Sequence, residues 1–152
     1  MVSYVCKYSP IEIIEAFDEN VTRIEPRRKS QKWAESLAHP NMCSFMKGVL
    51  EEIMEEGIHE LLLVNCCDSI RRLYDIVKER VNFIFFLDLP RKTDDRACRL
   101  FSNEIRRLIK EYETYKGKKF SIDNLKNILR GRQREQSRSI NEGCIGVLGA
   151  RF

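Results

Sequence analysis

The most informative segment of the chain is "LLLVNCCDSIRRLYD", Leu61 to Asp75. Its first four residues are an apolar run typical of a buried strand, and the charged residues after the cysteines have the spacing of an amphipathic helix. A second unit of the same kind follows, in which "NFIFFLD" precedes a helix predicted from about Thr93 to Tyr115. Apolar strands alternating with helices indicate a parallel sheet covered on both faces. We therefore expect an α/β fold, a Rossmann-like (flavodoxin-like) open parallel sheet.

The flanking segments supply further elements of such a fold. "SPIEIIEAF" predicts a helix with Ser9 as N-cap, Pro10 at the first helical position and Glu12 closing a capping box. "VTRIEP" predicts a short strand, and "NMCSFMKGVLEEIMEEG" predicts an amphipathic helix with Cys43 in its first turn. A last helix is expected from about Ser121. "RRKSQKWAESLAHP" is expected to be polar and irregular until Trp33 and Leu37 and to cross the surface.

Two regions of unequal size are predicted along the chain. Residues 1–138 form the N-terminal Rossmann-like domain, and residues 139–152 are the first strand of a truncated second domain. The reason is that "EGCIGVLGARF" has the pattern of a new buried strand, Cys144 to Leu148, with nothing after it to cover it.

The composition excludes several classes of protein. Of the 152 residues, 43% are hydrophobic and 33% are charged, which is typical of a globular protein. The apolar runs are too short to span a membrane, and no secretory signal is present, so a cytoplasmic protein without a membrane partner is expected. The net charge of +4 is mild, and the basic segment near the end lacks interleaved aromatic residues. We expect no nucleic-acid partner.

The cysteines are the candidate functional residues. Cys66 and Cys67 follow a predicted strand, and Cys43 lies at the start of the preceding helix. Ligands of parallel sheets bind beyond the carboxyl ends of the strands, where helix N-termini favour the thiolate that binds metals or attacks electrophiles. From spacing alone, these three cysteines are equally well interpreted as ligands or as small core residues. For Cys6, Cys98 and Cys144 the core role is preferred.

Other cysteine chemistries have less support. A disulfide scaffold suits a small secreted chain, so reduced thiols are expected here. The chain contains no C-x-x-C pair, which disfavours a thioredoxin-like redox site and a zinc ribbon. It also lacks a G-x-G-x-x-G motif, which disfavours a nucleotide cofactor.

Four segments together carry a family resemblance. "YSPIEIIEAF", "HPNMCSF", "VNCCDSIRRLYD" and "FFLDLPRK" resemble, in this order and over essentially the whole chain, the 2-hydroxyacyl-CoA dehydratase D-component family, which includes benzoyl-CoA reductase subunits. The resemblance implies an iron–sulfur cluster ([4Fe-4S]) held between two Rossmann-like domains. It implies as partners an ATP-hydrolysing iron–sulfur activator protein that delivers an electron, a second homologous subunit, and an acyl-CoA substrate that undergoes radical dehydration or reduction.

The resemblance also assigns site residues. The first cluster cysteine of the family falls on Cys43 and the second on Cys67. The third family ligand comes from the second domain, so this stretch alone is expected to be inactive. Cys66 is either a spare thiol or an extra ligand, as in family members with a double-cubane iron–sulfur cluster. Ser69 is a candidate for tuning the cluster by hydrogen bonding.

Charged residues at the same rim, the edge of the sheet where the strands have their carboxyl ends, can be interpreted in two ways. Arg71 and Arg72 either face an acyl-CoA phosphate or the activator, or form a solvated helix face. Asp88 and Arg91 of "LDLPRK" either form a wall of the site or maintain the fold. Two alternatives to the enzyme subunit stay open: a cluster-free binding or assembly module, and a cysteine-based redox or zinc protein.

Overall fold

Four parallel strands form one sheet in the order β2-β1-β3-β4. This computed structural model describes residues 1–27 and 32–141. The strands are β1 Val2–Tyr4, β2 Val21–Arg23, β3 Glu60–Val64 and β4 Phe83–Leu87. The predicted open parallel sheet is therefore confirmed.

Helices cover both faces of the sheet. They are α1 Ile11–Glu15, α2 Lys32–Leu37, α3 Ser44–Glu55, α4 Asp68–Val77, α5 Asp95–Lys116 and α6 Ile122–Asn141. Apolar residues of α2, α3 and α4 pack on one face, and those of α1, α5 and α6 pack on the other. This is the doubly wound arrangement that the alternation of strands and helices predicts.

Strand β3 is continuously apolar because both of its faces are buried. Leu61 and Leu63 pack into the core beneath α3 and α4, whereas Leu62 and Val64 pack into the core beneath α5. All four side chains are fully buried. Each contributes about 1.5–3 kcal/mol through removal of its apolar surface from water. A strand buried on both faces has no polar side, which is the pattern seen from Leu61 to Val64.

Strand β1 is the element that the sequence pattern does not reveal. It has only three residues, and one of them is the buried Ser3. It nevertheless lies inside the sheet, because it pairs with β2 on one side and with β3 on the other. From β1 the chain runs outward to β2 and then crosses back to β3, so the direction of winding changes between β1 and β3.

The start of α1 differs from the prediction. Pro10 is the N-cap, and no side chain caps the helix. The predicted capping box is therefore wrong. Ser9 is buried with its hydroxyl unpaired, and its backbone closes a turn: its N–H donates to the Cys6 carbonyl at 3.0 Å, and its carbonyl accepts from Ile11 at 2.8 Å. This turn directs the chain from β1 into α1.

Helix α2 lies in a segment predicted to be irregular. Two carboxylates of α3 hold it in place. Glu51 accepts a hydrogen bond from the Ala34 backbone N–H at 2.8 Å. Glu55 accepts another from the Trp33 indole at 3.0 Å. Carboxylates that accept from the first turn of a helix stabilise it. Tertiary contacts thus form a helix that the local sequence does not signal.

A cluster of charges joins the elements at the amino ends of the strands. Glu60, at the start of β3, accepts from Lys116 Nζ at 2.7 Å, from the Tyr115 hydroxyl at 3.0 Å and from the amino group of Met1 at 3.3 Å. Burial acts to raise the pKa of Glu60, but these three hydrogen bonds outweigh it and hold the pKa below its ordinary value. The cluster connects β1, β3 and the end of α5.

The predicted strand Cys144 to Leu148 lies outside the described residues, so the division into residues 1–138 and 139–152 stays a prediction. Helix α6 extends to Asn141. Among the helices that the structure describes, none combines the length and apolarity needed to cross a bilayer.

Candidate functional site

The carboxyl ends of three neighbouring strands carry the candidate residues. Cys6 follows β1, Cys66 and Cys67 follow β3, and Asp88 follows β4. Because the direction of winding changes between β1 and β3, the connections after these two strands leave on opposite faces of the sheet. Such a switch point is where parallel sheets form a ligand crevice.

Cys67 is the N-cap residue of α4. Its backbone is extended, with φ −156° and ψ 166°, and its side chain is exposed. No side chain caps this helix end, so the N–H groups of the first turn stay available to a negative charge at this position. A helix N-terminus favours the thiolate form of a cysteine, which is the form that ligates metals.

Cys43 occupies the equivalent position on α3. It is the N-cap residue, one position before the helix in which it was predicted, and it is exposed. Its backbone N–H donates to Ser69 Oγ at 3.2 Å, and Ser69 lies in the first turn of α4. Ser69 therefore connects the backbone of Cys43 to the helix that Cys67 begins. Two uncapped helix N-termini, each with an exposed thiol at the N-cap, are held side by side.

Cys66 precedes the N-cap residue of α4. Although the residue as a whole is exposed, partial burial raises the pKa of the Cys66 thiol to about 12, and the neighbouring Cys6 and Cys67 add to this effect. The Cys66 thiol is therefore protonated at neutral pH.

Cys6 lies two residues beyond the end of β1. It is half-buried and packs against the core beneath α1 and α5, as expected of a core cysteine. The sequence pattern does not show that Cys6 and Cys66 lie at the same edge of the sheet, because β1 was not predicted. Cys98 was expected on the apolar side of α5 and is instead exposed, so that expectation was wrong.

Asn65 connects the ends of β3 and β4 to the arginine predicted at the rim. Its side-chain N–H donates to Asp88 Oδ1 at 2.5 Å, and its Oδ1 accepts from Arg71 Nε at 2.6 Å. The Asp88 backbone N–H donates to Glu104 of α5 at 3.0 Å. Arg71 and Asp88 are therefore brought together through a residue that was not predicted.

The other two predicted arginines have simpler surroundings. Arg72 pairs with Asp68 one helical turn away at 2.9 Å; Asp68 is exposed and Arg72 is partly exposed, which agrees with a solvated helix face. Arg91 is exposed and lines a cavity of about 310 Å³ together with Pro90 and Leu100. A cavity of about 720 Å³ is lined instead by residues such as His59 and Glu60, and no cysteine borders it.

The thiols suit a group that is bound by sulfur, but they do not form a complete metal site. Within residues 1–27 and 32–141, no three His, Cys, Asp or Glu side chains are grouped so that they could hold a metal ion. Cys43 and Cys67 have the donor chemistry and the helix-terminal position of metal ligands. Further ligands would have to come from outside the described residues.

Comparison with known protein families gives one result. The family model described as 2-hydroxyglutaryl-CoA dehydratase, D-component, matches residues 6–141. The matched range includes Cys6 and the three exposed cysteines of the rim. No curated protein matches the chain.

Proposed function

Since the chain belongs to the 2-hydroxyglutaryl-CoA dehydratase D-component family, we propose that it is the N-terminal part of an iron–sulfur subunit. In this proposal the subunit accepts an electron from an ATP-hydrolysing activator protein and serves the radical dehydration or reduction of an acyl-CoA. Family membership makes the chain a component of a 2-hydroxyacyl-CoA dehydratase-like enzyme that works with an activator and a second subunit. The cluster and its ligands belong to the proposal.

The ligands contributed by this chain are Cys43 and Cys67. The observation that carries this assignment is that both are exposed N-cap residues of adjacent helices, joined by the hydrogen bond from the Cys43 N–H to Ser69. Both thiolates would be stabilised by free helix N–H groups. Ser69 links the backbone of Cys43 to the first turn of the helix that Cys67 begins.

Cys66 stays outside this ligand pair because it is not the N-cap residue of either helix. A double-cubane cluster is the second candidate, and it would use Cys66 as an additional thiolate. The adjacent Cys66 and Cys67 are the observation that favours it. A Cys66→Ser variant distinguishes the two candidates: its iron content should be unchanged if Cys66 is not a ligand and should fall if a double-cubane cluster uses this thiolate.

An iron–sulfur cluster, when bound, supplies one-electron transfer, with a potential tuned by hydrogen bonds and burial. The other residues of the rim would bind and orient the substrate. Arg71 uses Nε to donate to Asn65, which leaves its two terminal nitrogens for an anion such as a phosphate of coenzyme A. Arg91 adds a second exposed positive charge at the end of β4.

Anaerobic reconstitution of the chain with iron and sulfide tests the ligand assignment. With a partner domain that supplies the further cysteine ligand, we expect thiolate-to-iron absorption in the wild type and its loss in Cys43→Ser and Cys67→Ser. Cys98→Ser is the matched control, because Cys98 is exposed but lies on α5, and this variant should load normally. Normal loading of Cys67→Ser, or binding of zinc alone, would refute the proposal. Loss of iron in Cys66→Ser would favour the double-cubane cluster.

A further inference from the structure

The outward side of α5 carries a row of exposed basic side chains. Their spacing in the sequence places them on one face of the helix, and they are Arg96, Arg99, Arg106 and Lys110. The buried residues of α5 lie on the opposite side of the helix, and they are Ala97, Leu108 and Tyr112. At a rise of 1.5 Å per residue, the row is about 21 Å long. We call these four residues the basic face of α5.

The charges of this face have no acidic partner in the part of the chain that the structure describes. None of the four side chains forms an ion pair there, and Arg106 donates only to Asn103 Oδ1, at 3.2 Å. The carboxylates of Glu104 and Glu111 pair instead with Arg107, beside the face. Like charges one turn apart destabilise a helix, so a negatively charged partner would offset a cost that the free helix carries.

An apolar cavity adjoins the first turn of the basic face. It has a volume of about 310 Å³, and its apolar and basic lining residues are Pro90, Ala97, Leu100, Arg91, Lys92 and Arg96. Leu100 is 53% exposed. The acidic residue of the lining, Asp94, is already engaged, because it caps α5 by accepting from the Ala97 N–H at 2.8 Å. The cavity therefore offers an exposed apolar side chain among positive charges that no carboxylate neutralises.

We propose that the basic face of α5 and the cavity at its start form a docking surface for an acidic protein segment. The segment presents an apolar side chain that covers Leu100, flanked by carboxylates that pair with Arg96 and Arg99. Arginine is enriched at protein interfaces, and its planar guanidinium binds a carboxylate through two parallel hydrogen bonds. This inference goes beyond the proposed function, and it does not depend on a bound cluster.

Other occupants match the face less well. Single-stranded nucleic acid stacks on aromatic side chains, and the exposed aromatic residues of the described chain, Tyr8, Phe45 and Tyr115, do not lie on this face. A membrane surface binds a broad apolar helix face, whereas the exposed apolar group here is Leu100. The chain's own residues 142–152 contain one acidic residue, Glu142, against four positive charges. An acidic protein segment fits both the charge and the apolar cavity.

Fluorescence anisotropy on the metal-free chain tests the docking surface with a short synthetic peptide in which glutamates surround a single leucine. Wild-type affinity should fall at least about tenfold between about 0.05 M and about 0.5 M salt. At low salt, Arg96→Glu with Arg99→Glu should weaken binding by at least about tenfold, and Leu100→Ser by about threefold or more. The matched control is Arg130→Glu with Arg134→Glu, which makes the same change of net charge at exposed residues of α6. It should alter binding by less than about twofold.

Any of four results with the probes would overturn the proposal: no binding to the wild type, equal weakening in the two double variants, unchanged binding when glutamines replace the glutamates, or tighter binding of a single-stranded oligonucleotide or an anionic phospholipid vesicle. Salt-sensitive self-association of the wild type, abolished in Arg96→Glu with Arg99→Glu, would assign the face to a second copy and also overturn it. Urea unfolding checks that the variants are folded. Arg96→Gln with Arg99→Gln removes the charge without repulsion and should weaken binding in the same direction.

Discussion

Replacing Glu60 by glutamine removes the negative charge on which three donors converge. The carboxylate side chain is only 12% exposed, and its strongest partner, Lys116, is 19% exposed. The variant keeps the size of the side chain and one acceptor oxygen, so it removes the charge without leaving a cavity. Because Glu60 lies at the amino end of β3, the opposite end from the cysteines, the change should affect stability and not the site.

The magnitude follows from the hydrogen bonds. A hydrogen bond to a charged group contributes about 1.5–3 kcal/mol, and Glu60 accepts bonds from Lys116, Tyr115 and the amino terminus. Glutamine keeps part of this hydrogen bonding, so we expect the free energy of unfolding to fall by about 2 kcal/mol. In a chain of this size each kcal/mol lowers Tm by about 2–4 °C, so the expected loss is about 4–8 °C.

The effect has a defined pH dependence. The pKa of Glu60 is lowered in the folded protein, so its stabilising contribution is present above the unfolded pKa of about 4.3 and is lost as pH falls through the folded value. The pKa of Lys116 is raised, since its bond to Glu60 and neighbouring negative charge outweigh the burial that acts to lower it. Lys116 therefore stays charged at neutral pH, and the loss in the variant appears at pH 7 and shrinks in acid.

Urea unfolding at pH 7 and at pH 3 measures both features. Glu79→Gln is the matched control, because Glu79 is exposed and should change the free energy of unfolding by less than about 0.5 kcal/mol. If Glu60→Gln is as destabilising at pH 3 as at pH 7, the charge is not the source of its contribution. Alkylation of Cys66 should be the same in the variant and the wild type.

Three further substitutions have distinct expected outcomes. Ser69→Ala removes the acceptor of the Cys43 N–H. It should weaken iron binding by roughly 10–100-fold in a competition titration, as loss of an outer hydrogen bond does at other metal sites. Unchanged iron affinity would exclude a positioning role for Ser69. Asn65→Ala frees Arg71 and should raise the Kd for an acyl-CoA measured by calorimetry, whereas Asn127→Ala should not. Gly117→Ala should lower the free energy of unfolding in urea by about 1–2 kcal/mol. The cause is backbone strain alone, because φ is 66° and the added Cβ meets nothing within 4 Å. A neutral result would show that α5 ends in another way.

The main elements of the fold could be predicted because burial leaves a local pattern. The apolar runs of β3 and β4 and the periodic residues of α3, α4 and α5 indicate the strands and helices that the structure contains. The family resemblance, based on the residues around Cys43 and Cys67, is confirmed by the match over residues 6–141. Their role as cluster ligands stays a prediction.

The elements that were missed depend on partners far away in the sequence. β1 has three residues and no apolar run, and it is a strand because β2 and β3 offer hydrogen bonds on both sides. α2 begins where Glu51 of α3 accepts from its backbone. The strands that flank β1 and the carboxylate that contacts α2 lie far away in the sequence, so a pattern of neighbouring residues does not predict them.

A parallel α/β sheet with cysteines at the ends of its strands could be predicted from the sequence, because alternating apolar runs and helix starts are local patterns of consecutive residues. Which strand and helix ends are adjacent becomes clear from the tertiary structure alone. The short strand β1 pairs with β3, and the hydrogen bond from the Cys43 N–H to Ser69 joins two helix ends. These contacts depend on strand order and on single hydrogen bonds between distant residues, which leave no periodic trace in the chain.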